Sequence, residues 1–337
     1  MKTRSTFIQM VAAVICLMVF STPGWSQTTT FTDADGTDSL ITNPLNWDNG
    51  LPTNGVAGTL GIDAQFGGSL SGYHITFTNG TLSRTSLGPF SLGSNTTFII
   101  NGSSASVSGN CQGIYIDSTA QLTFEQGTLN APGNSDSDVH GAFVMNGGAF
   151  DVSRRLSPRG GGTIAINGGT VSCPGELGGS NLDSGDIFLN GGVLTFDSLC
   201  FGHSGINVFF GGSTEGTLTI QNFFGFRHQP NYIDIEFATG SKMSFTVTDP
   251  VESGGSGDGK IGWWDVGDET GKEWAEALWS NGRLTFDGQD YTTLGDWATV
   301  TNANGLGNDY RFDFDSNTDT LSLAYEPPPA GTVLIVQ

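Results

Sequence analysis

The sequence predicts an all-β protein: a parallel β-helix of about 20–25 residues per coil, closed by a C-terminal β-rich cap that carries one short helix. Three observations lead there. An Asn-Gly step recurs at Asn79, Asn101, Asn146, Asn167 and Asn190, with Gln126-Gly and Phe210-Gly-Gly in the same frame, at intervals of 20 to 25 residues. Apolar residues alternate with others on both sides of the step, as in Ile164-Ala-Ile166 before Asn167 and Val171-Ser-Cys173 after it. That is the period of a strand with one buried face. Composition agrees, because 51 glycines and only 13% charged residues suit many turns and few solvated helices.

At the N-terminus, Lys2 and Arg4 precede an apolar run from Phe7 to Phe20, and Gly24 and Ser26 supply small residues. This predicts a signal peptide over 1–26, cleaved after Ser26. The run is shorter than the ~20 residues a membrane span needs. The expected product is exported to the extracellular space, the cell surface or the periplasm, with no transmembrane span in the mature chain. A net charge of −21 repels nucleic acid and anionic lipid, which excludes those partners and leaves divalent cations open. Cys111, Cys173 and Cys200 are too few and too far apart for a disulfide framework or a metal knuckle. Cys173 falls where Val152 and Phe196 fall in the alternation, so it reads as a small core residue.

Residues 27–59 form an N-terminal segment and cap, and 60–248 the β-helix. A coil of about 21 residues at ~3.3 Å per residue is about 70 Å of chain, one turn of a three-sided coil. The Gly residues mark the corners, where a sharp bend needs positive φ. Coils stacked ~4.8 Å apart place like above like, so Asn79, Asn101, Asn146, Asn167 and Asn190 would form an amide ladder. The rival is an array of antiparallel hairpins, since Asn-Gly is also a hairpin turn. Hairpin meanders, however, turn every ~8–12 residues.

On these motifs, residues 60–245 resemble an exported right-handed parallel β-helix of the pectin-lyase-like architecture. They are similar to autotransporter-associated and PEP-CTERM-type surface proteins. Asn43 to Gly55 resembles the Asn-Trp-x-x-Gly-x-Pro segment that often opens such chains. The resemblance implies a right-handed coil and export; it implies no one activity, because the architecture hosts unrelated functions.

The pattern breaks at Asp249 to Lys260, and residues 249–325 read as a C-terminal cap. Thr270-Gly-Lys-Glu273 is a capping box ahead of Trp274, Ala277 and Leu278, and Gly282 is a stop, which predicts a helix over 271–280. Leu284 to Gly288 and Tyr310 to Tyr325 read as strands, the second a hairpin turning at Asp315 to Asp319. Together they would cover the open end of the stack. The flexible tail, 326–337, resembles the start of a PEP-CTERM sorting signal but departs from it in lacking an apolar span and a basic end.

Trp263 and Trp264 are adjacent, so on a strand one of them faces out and offers a sugar-stacking surface; packing inside the cap is the competing use. Arg154, Arg155 and Arg159 are the one basic cluster, suited to acidic glycans or simply to a solvated loop between rungs. Asp33, Asp35 and Asp38 surround a Gly turn. Asp315, Asn317 and Asp319, with Glu326, follow EF-hand spacing. Calcium is the one cofactor these strings suggest, and turn chemistry explains the same residues. Phe201 to Gly205 faintly resembles the Gly-His-Gly of polygalacturonases, yet the acidic and basic companions of that family are missing, so His203 reads as a turn residue. The expected function is an exported structural or adhesive solenoid without catalytic activity. Its partners would be extracellular glycans or other surface proteins. The alternative is a polysaccharide-binding or polysaccharide-degrading β-helix.

Overall fold

A computed structural model describes residues 27–36, 38–53, 56–131, 133, 135–179, 184–201, 206–226, 233–248 and 273–327. Residues 1–26, His203, Trp263, Trp264 and the tail beyond 327 lie outside them. The chain is a β-solenoid whose coils each trace three faces. The first face is an 11-stranded sheet that runs from Gln27–Thr30 through strands such as Phe98-bearing Thr97–Ile100 and Gly162–Ile166 to Leu284–Phe286. The second and third faces share a 13-stranded sheet. Long strands such as Thr170–Gly179 and Gly192–Phe201 run along one face and continue along the other. Their register shifts between Cys173 and Glu176, and between Phe196 and Ser198. Those irregularities bend the strand into the corner.

Successive coils pair in parallel, as in Ile164 on Ile187 and Ile187 on Val208. A hairpin array would pair antiparallel, so the solenoid reading stands. The alternation produces columns in the core. Phe98, Leu122, Phe143, Ile164, Ile187 and Val208 lie one above the next, each at most 1% exposed. Each such burial is worth about 1.5–3 kcal/mol, and a lone coil would leave the column open above and below. At the corner after the first face, Gly169 and Gly192 have φ of 85° and 89°. A Cβ on Gly169 would meet the Gly148 carbonyl oxygen at 2.7 Å, so the corner needs glycine twice over, for its φ and for the close rung below.

Two parts of the predicted frame shift by a residue. Pairing of Phe124 with Met145 puts Glu125, not Gln126, in the Asn146 position. Pairing of Phe77 with Ile100 aligns Thr78, not Asn79, with Asn101. Phe210 is no corner residue either: it pairs with Leu189, is fully buried and stacks on Phe237 at 4.6 Å. The apolar alternation sets the register, and the glycines follow it.

Both ends are covered. At the N-terminal end Trp47 is buried against Phe31, with ring centroids 5.3 Å apart, and its Nε1 donates to the Ile41 carbonyl at 2.9 Å. A Cβ on Gly58 would lie 2.5 Å from the Pro52 side chain and 2.9 Å from the Trp47 ring, so the glycine makes room for both. At the other end helix α1, Glu273–Ser280, falls within the predicted 271–280 and buries Ala275, Leu278 and Trp279. Two further short helices follow, α2 at Tyr291–Leu294 and α3 at Trp297–Val300, so the described part of the cap carries three helices where the sequence predicts one. Asp290 and Asp296 cap them by accepting from the Thr292 and Thr299 amides. Leu284–Phe286 extends the first face in parallel, and the hairpin Tyr310–Asp315/Thr320–Tyr325 closes the second. Phe312 sits among Trp279, Trp297 and Phe237 at 5.5–5.8 Å, so cap and coils share one continuous core.

Candidate functional site

The stack brings outward side chains about one coil apart into contact, in columns. At the first corner, Asn190 donates to Asn167 Oδ1 and Asn167 to Asn146 Oδ1, both at 2.8 Å, and Asn146 donates to Glu125 Oε1 at 2.9 Å. Asn101 holds the equivalent place but is exposed and outside this bonded run, while Asn79 Nδ2 donates to the Gly61 carbonyl at 3.1 Å. The ladder therefore links three of the five predicted asparagines and adds a glutamate.

The arginine cluster lies on the third face, with Arg155 in the strand Arg155–Pro158 rather than on a loop. Rung-to-rung pairing stacks Asp136, Arg155 and Glu176. The Arg155 guanidinium, 8% exposed, meets Asp136 and Glu176 at 3.2 Å each. Arg154 pairs with Asp136 at 3.2 Å, and Arg159 with Asp138 at 2.6 Å. Burial pushes the Asp138 carboxyl above its ordinary range, against the pull of Arg159. The three guanidinia are thus held by carboxylates of this chain, and the expected patch for acidic glycans is largely neutralised by its own neighbours.

In both acidic strings the carboxylates are taken up by donors of the chain itself. Asp35 and Asp38 accept from the Asn43 amide at 2.9 and 3.3 Å, Asp38 also from Asn46 at 3.1 Å, and Asp33 from the Ser39 hydroxyl at 3.2 Å. The Leu40 amide, ahead of those two side-chain amides, holds the Asp38 carboxyl below its usual range. Asp315 caps the hairpin turn by accepting from the Asn317 amide at 2.8 Å and the Thr318 hydroxyl at 3.0 Å. Asp319 sits in that turn at a φ of 48°, and Glu326 pairs with Arg311 at 2.9 Å. Among the described residues no group of three or more His, Cys, Asp or Glu side chains is placed to hold a metal ion. Turn chemistry accounts for Asp315 and Asp319, while Asp33, Asp35 and Asp38 hold Asn43, Asn46 and Ser39.

Three features went unread in the sequence. Outward on the first face, Val144, Ala165 and Phe188 form a small buried apolar cluster with Phe209 packed on it. Phe188 and Phe209 stack at 4.9 Å. In the same column follows Glu236, paired opposite Phe209, whose carboxyl is pushed up to about 7 by burial and then by Asp287 and Asp234. The third feature is a groove of about 520 Å³ between the last coils and the C-terminal hairpin. Beside it the hairpin pairs with Met243–Val247 at Phe245–Leu321 and Thr246–Thr320, and the Val247 amide donates to the Asp319 carbonyl at 3.2 Å. Its lining brings Leu323, Tyr325 and Tyr310 of the hairpin together with Glu215, Thr217, Ser241, Lys242 and Ser244 of the last coils. The two tyrosines end the predicted hairpin, but only the tertiary fold sets them opposite residues 215–217 and 240–244.

Among the described residues no helix is long and apolar enough to cross a membrane. Comparison with family models, with curated proteins and with solved structures finds no match to this chain.

Proposed function

We propose that the chain is an exported structural or adhesive β-solenoid. It acts without catalysis at the cell surface or in the extracellular matrix, in the manner of the autotransporter-associated and PEP-CTERM-type surface proteins it resembles. The observation that carries the reading is the use made of outward polar side chains. On the first corner and the third face they bond the rung above and below, as in Asn190–Asn167–Asn146 and Asp136–Arg155–Glu176. Side chains so held stiffen a rod and are withdrawn from proton transfer or substrate capture. With both ends covered, the free edges that would promote uncontrolled strand pairing are reduced, which suits a long-lived extracellular element. Its partners are extracellular glycans or other surface proteins, met along acidic flanks that repel nucleic acid.

The test is to express the full chain in a bacterial host and follow it by cell fractionation and by protease treatment of intact cells. The expected result is a chain processed near Ser26 and recovered at the surface or in the medium. Cytoplasmic retention, or release of sugar from any polysaccharide offered to the purified protein, would overturn the reading.

A further inference from the structure

We propose that the groove beside the C-terminal hairpin binds a neutral glycan chain, an inference that deepens the adhesive reading by giving it a site and a ligand class. The groove combines the two surfaces a sugar ring presents. One wall is aromatic: Tyr310 and Tyr325 lie 5.2 Å apart at 45°, and Tyr325 is 57% exposed, with Leu323 beside them. The apolar C–H face of a pyranose covers such a ring, while the phenol hydroxyl remains able to bond. The other wall is hydroxylic. Thr217 and Ser244 share a hydrogen bond of 3.0 Å, which leaves acceptor capacity on both oxygens, and Ser241 lies beside them. Glu215 and Lys242, both exposed, add an acceptor and a donor at the mouth. A peptide would need apolar side-chain pockets along its length, and this wall offers hydroxyls instead.

The volume, about 520 Å³, lies in the ~300–1,000 Å³ range of small-ligand sites and suits a short run of sugar rings. Charge sets the class. The chain carries −21 overall and Glu215 stands at the groove, so a polyuronate or sulfated glycan would be repelled. Lys242 alone does not offset that field. Neutral hexose, pentose or N-acetylhexosamine chains suffer no such penalty.

The experiment is a titration calorimetry panel on the full chain. It uses neutral oligosaccharides of glucose, xylose, mannose and N-acetylglucosamine, with oligogalacturonate as the charged comparator and a mixed peptide library as the other class. The expected result is binding of at least one neutral series. Tyr325→Ala should then weaken it about tenfold, and Tyr325→Phe should stay within about threefold, since the ring does most of the stacking. Unchanged urea midpoints for both variants would show that the fold is intact. Neutral-glycan binding left untouched by Tyr325→Ala and by Lys242→Ala would overturn the groove while leaving glycan adhesion in place. Preference for oligogalacturonate, peptide binding alone, or no binding by the wild-type chain would overturn the ligand assignment itself.

Discussion

Replacing Arg155 by Met removes the guanidinium from between Asp136 and Glu176 while keeping most of the side-chain volume. In the wild-type protein it meets both carboxylates at 3.2 Å and is 8% exposed. At an effective dielectric of ~20 each contact is worth roughly 5 kcal/mol of gross attraction, most of it offset by the cost of removing the charges from water. The loss on mutation comes chiefly from the carboxylates left behind. Taking one partner from a buried pair costs about 3–5 kcal/mol. Here Asp136 keeps Arg154 and Arg159, and the two acids are 24% and 19% exposed, so we expect about 2–3 kcal/mol. Arg154→Met is the internal control, because that side chain is 51% exposed and its pair should be worth under about 1 kcal/mol. Urea unfolding of the purified chain at low and high salt reads both. The Arg154 effect should shrink with salt, and the Arg155 effect should persist. If Arg155→Met shifts stability no more than Arg154→Met, the column does not hold the coils together. The arginines would then be free to serve an acidic ligand after all.

Asn167→Leu should cost about 1–3 kcal/mol by urea titration, because it leaves Asn146 Oδ1 and Asn190 Nδ2 without their 2.8 Å partners. Asn101→Leu, outside the bonded run, should stay within about 0.5 kcal/mol. Glu236 has a folded pKa of about 7 against an ordinary 4.5, so its neutral form is the one the fold favours. Its contribution is full below pH 4.5, fades as pH rises through 7 and is absent above. Glu236→Gln should therefore stabilise by about 2 kcal/mol at pH 8 and change nothing at pH 4, a contrast that thermal melts at the two pH values will show. Burial pushes the Cys111 and Cys173 thiols up to about 11, so iodoacetamide at pH 8 should label neither until urea unfolds the coils, as mapped by peptide mass spectrometry.

The interior was legible because each inward position answers to one demand. A residue that faces the axis is apolar in Ile164, Ile187 and Val208 alike, so period and phase show in a single chain. The corners were read less well, for the Asn-Gly step marks them only to within a residue, and Glu125 and Thr78 hold places that Gln126 and Asn79 were expected to fill. The outward columns were not legible by local rules. Asp136, Arg155 and Glu176 belong to three successive coils, and nothing near Arg155 in the chain announces either partner. Their pairing follows only once the register is known. The helices α2 and α3 are too short to show a period, although Asp290 and Asp296 before Thr-rich turns were signals within reach. The groove draws its lining from residues 215–217, 240–244 and the hairpin at 310–325, so no local motif encodes it.

That asymmetry bears on function. In a stacked coil the inward residues are interchangeable from rung to rung and say only that the rod exists. The outward residues are free to differ, and they acquire partners through register alone. One outward column of the first face passes from Val144, Ala165 and Phe188 to Glu236, from apolar to acidic, across coils whose inward residues stay apolar throughout. Local chemistry can therefore change without loss of the coil, which is how one architecture comes to carry unrelated activities. The informative unit of such a chain is the outward column taken at its paired register. Among the described residues those columns lead to coils bound to one another by their own charges and amides, and to a hydroxyl-lined and aromatic groove beside the C-terminal hairpin.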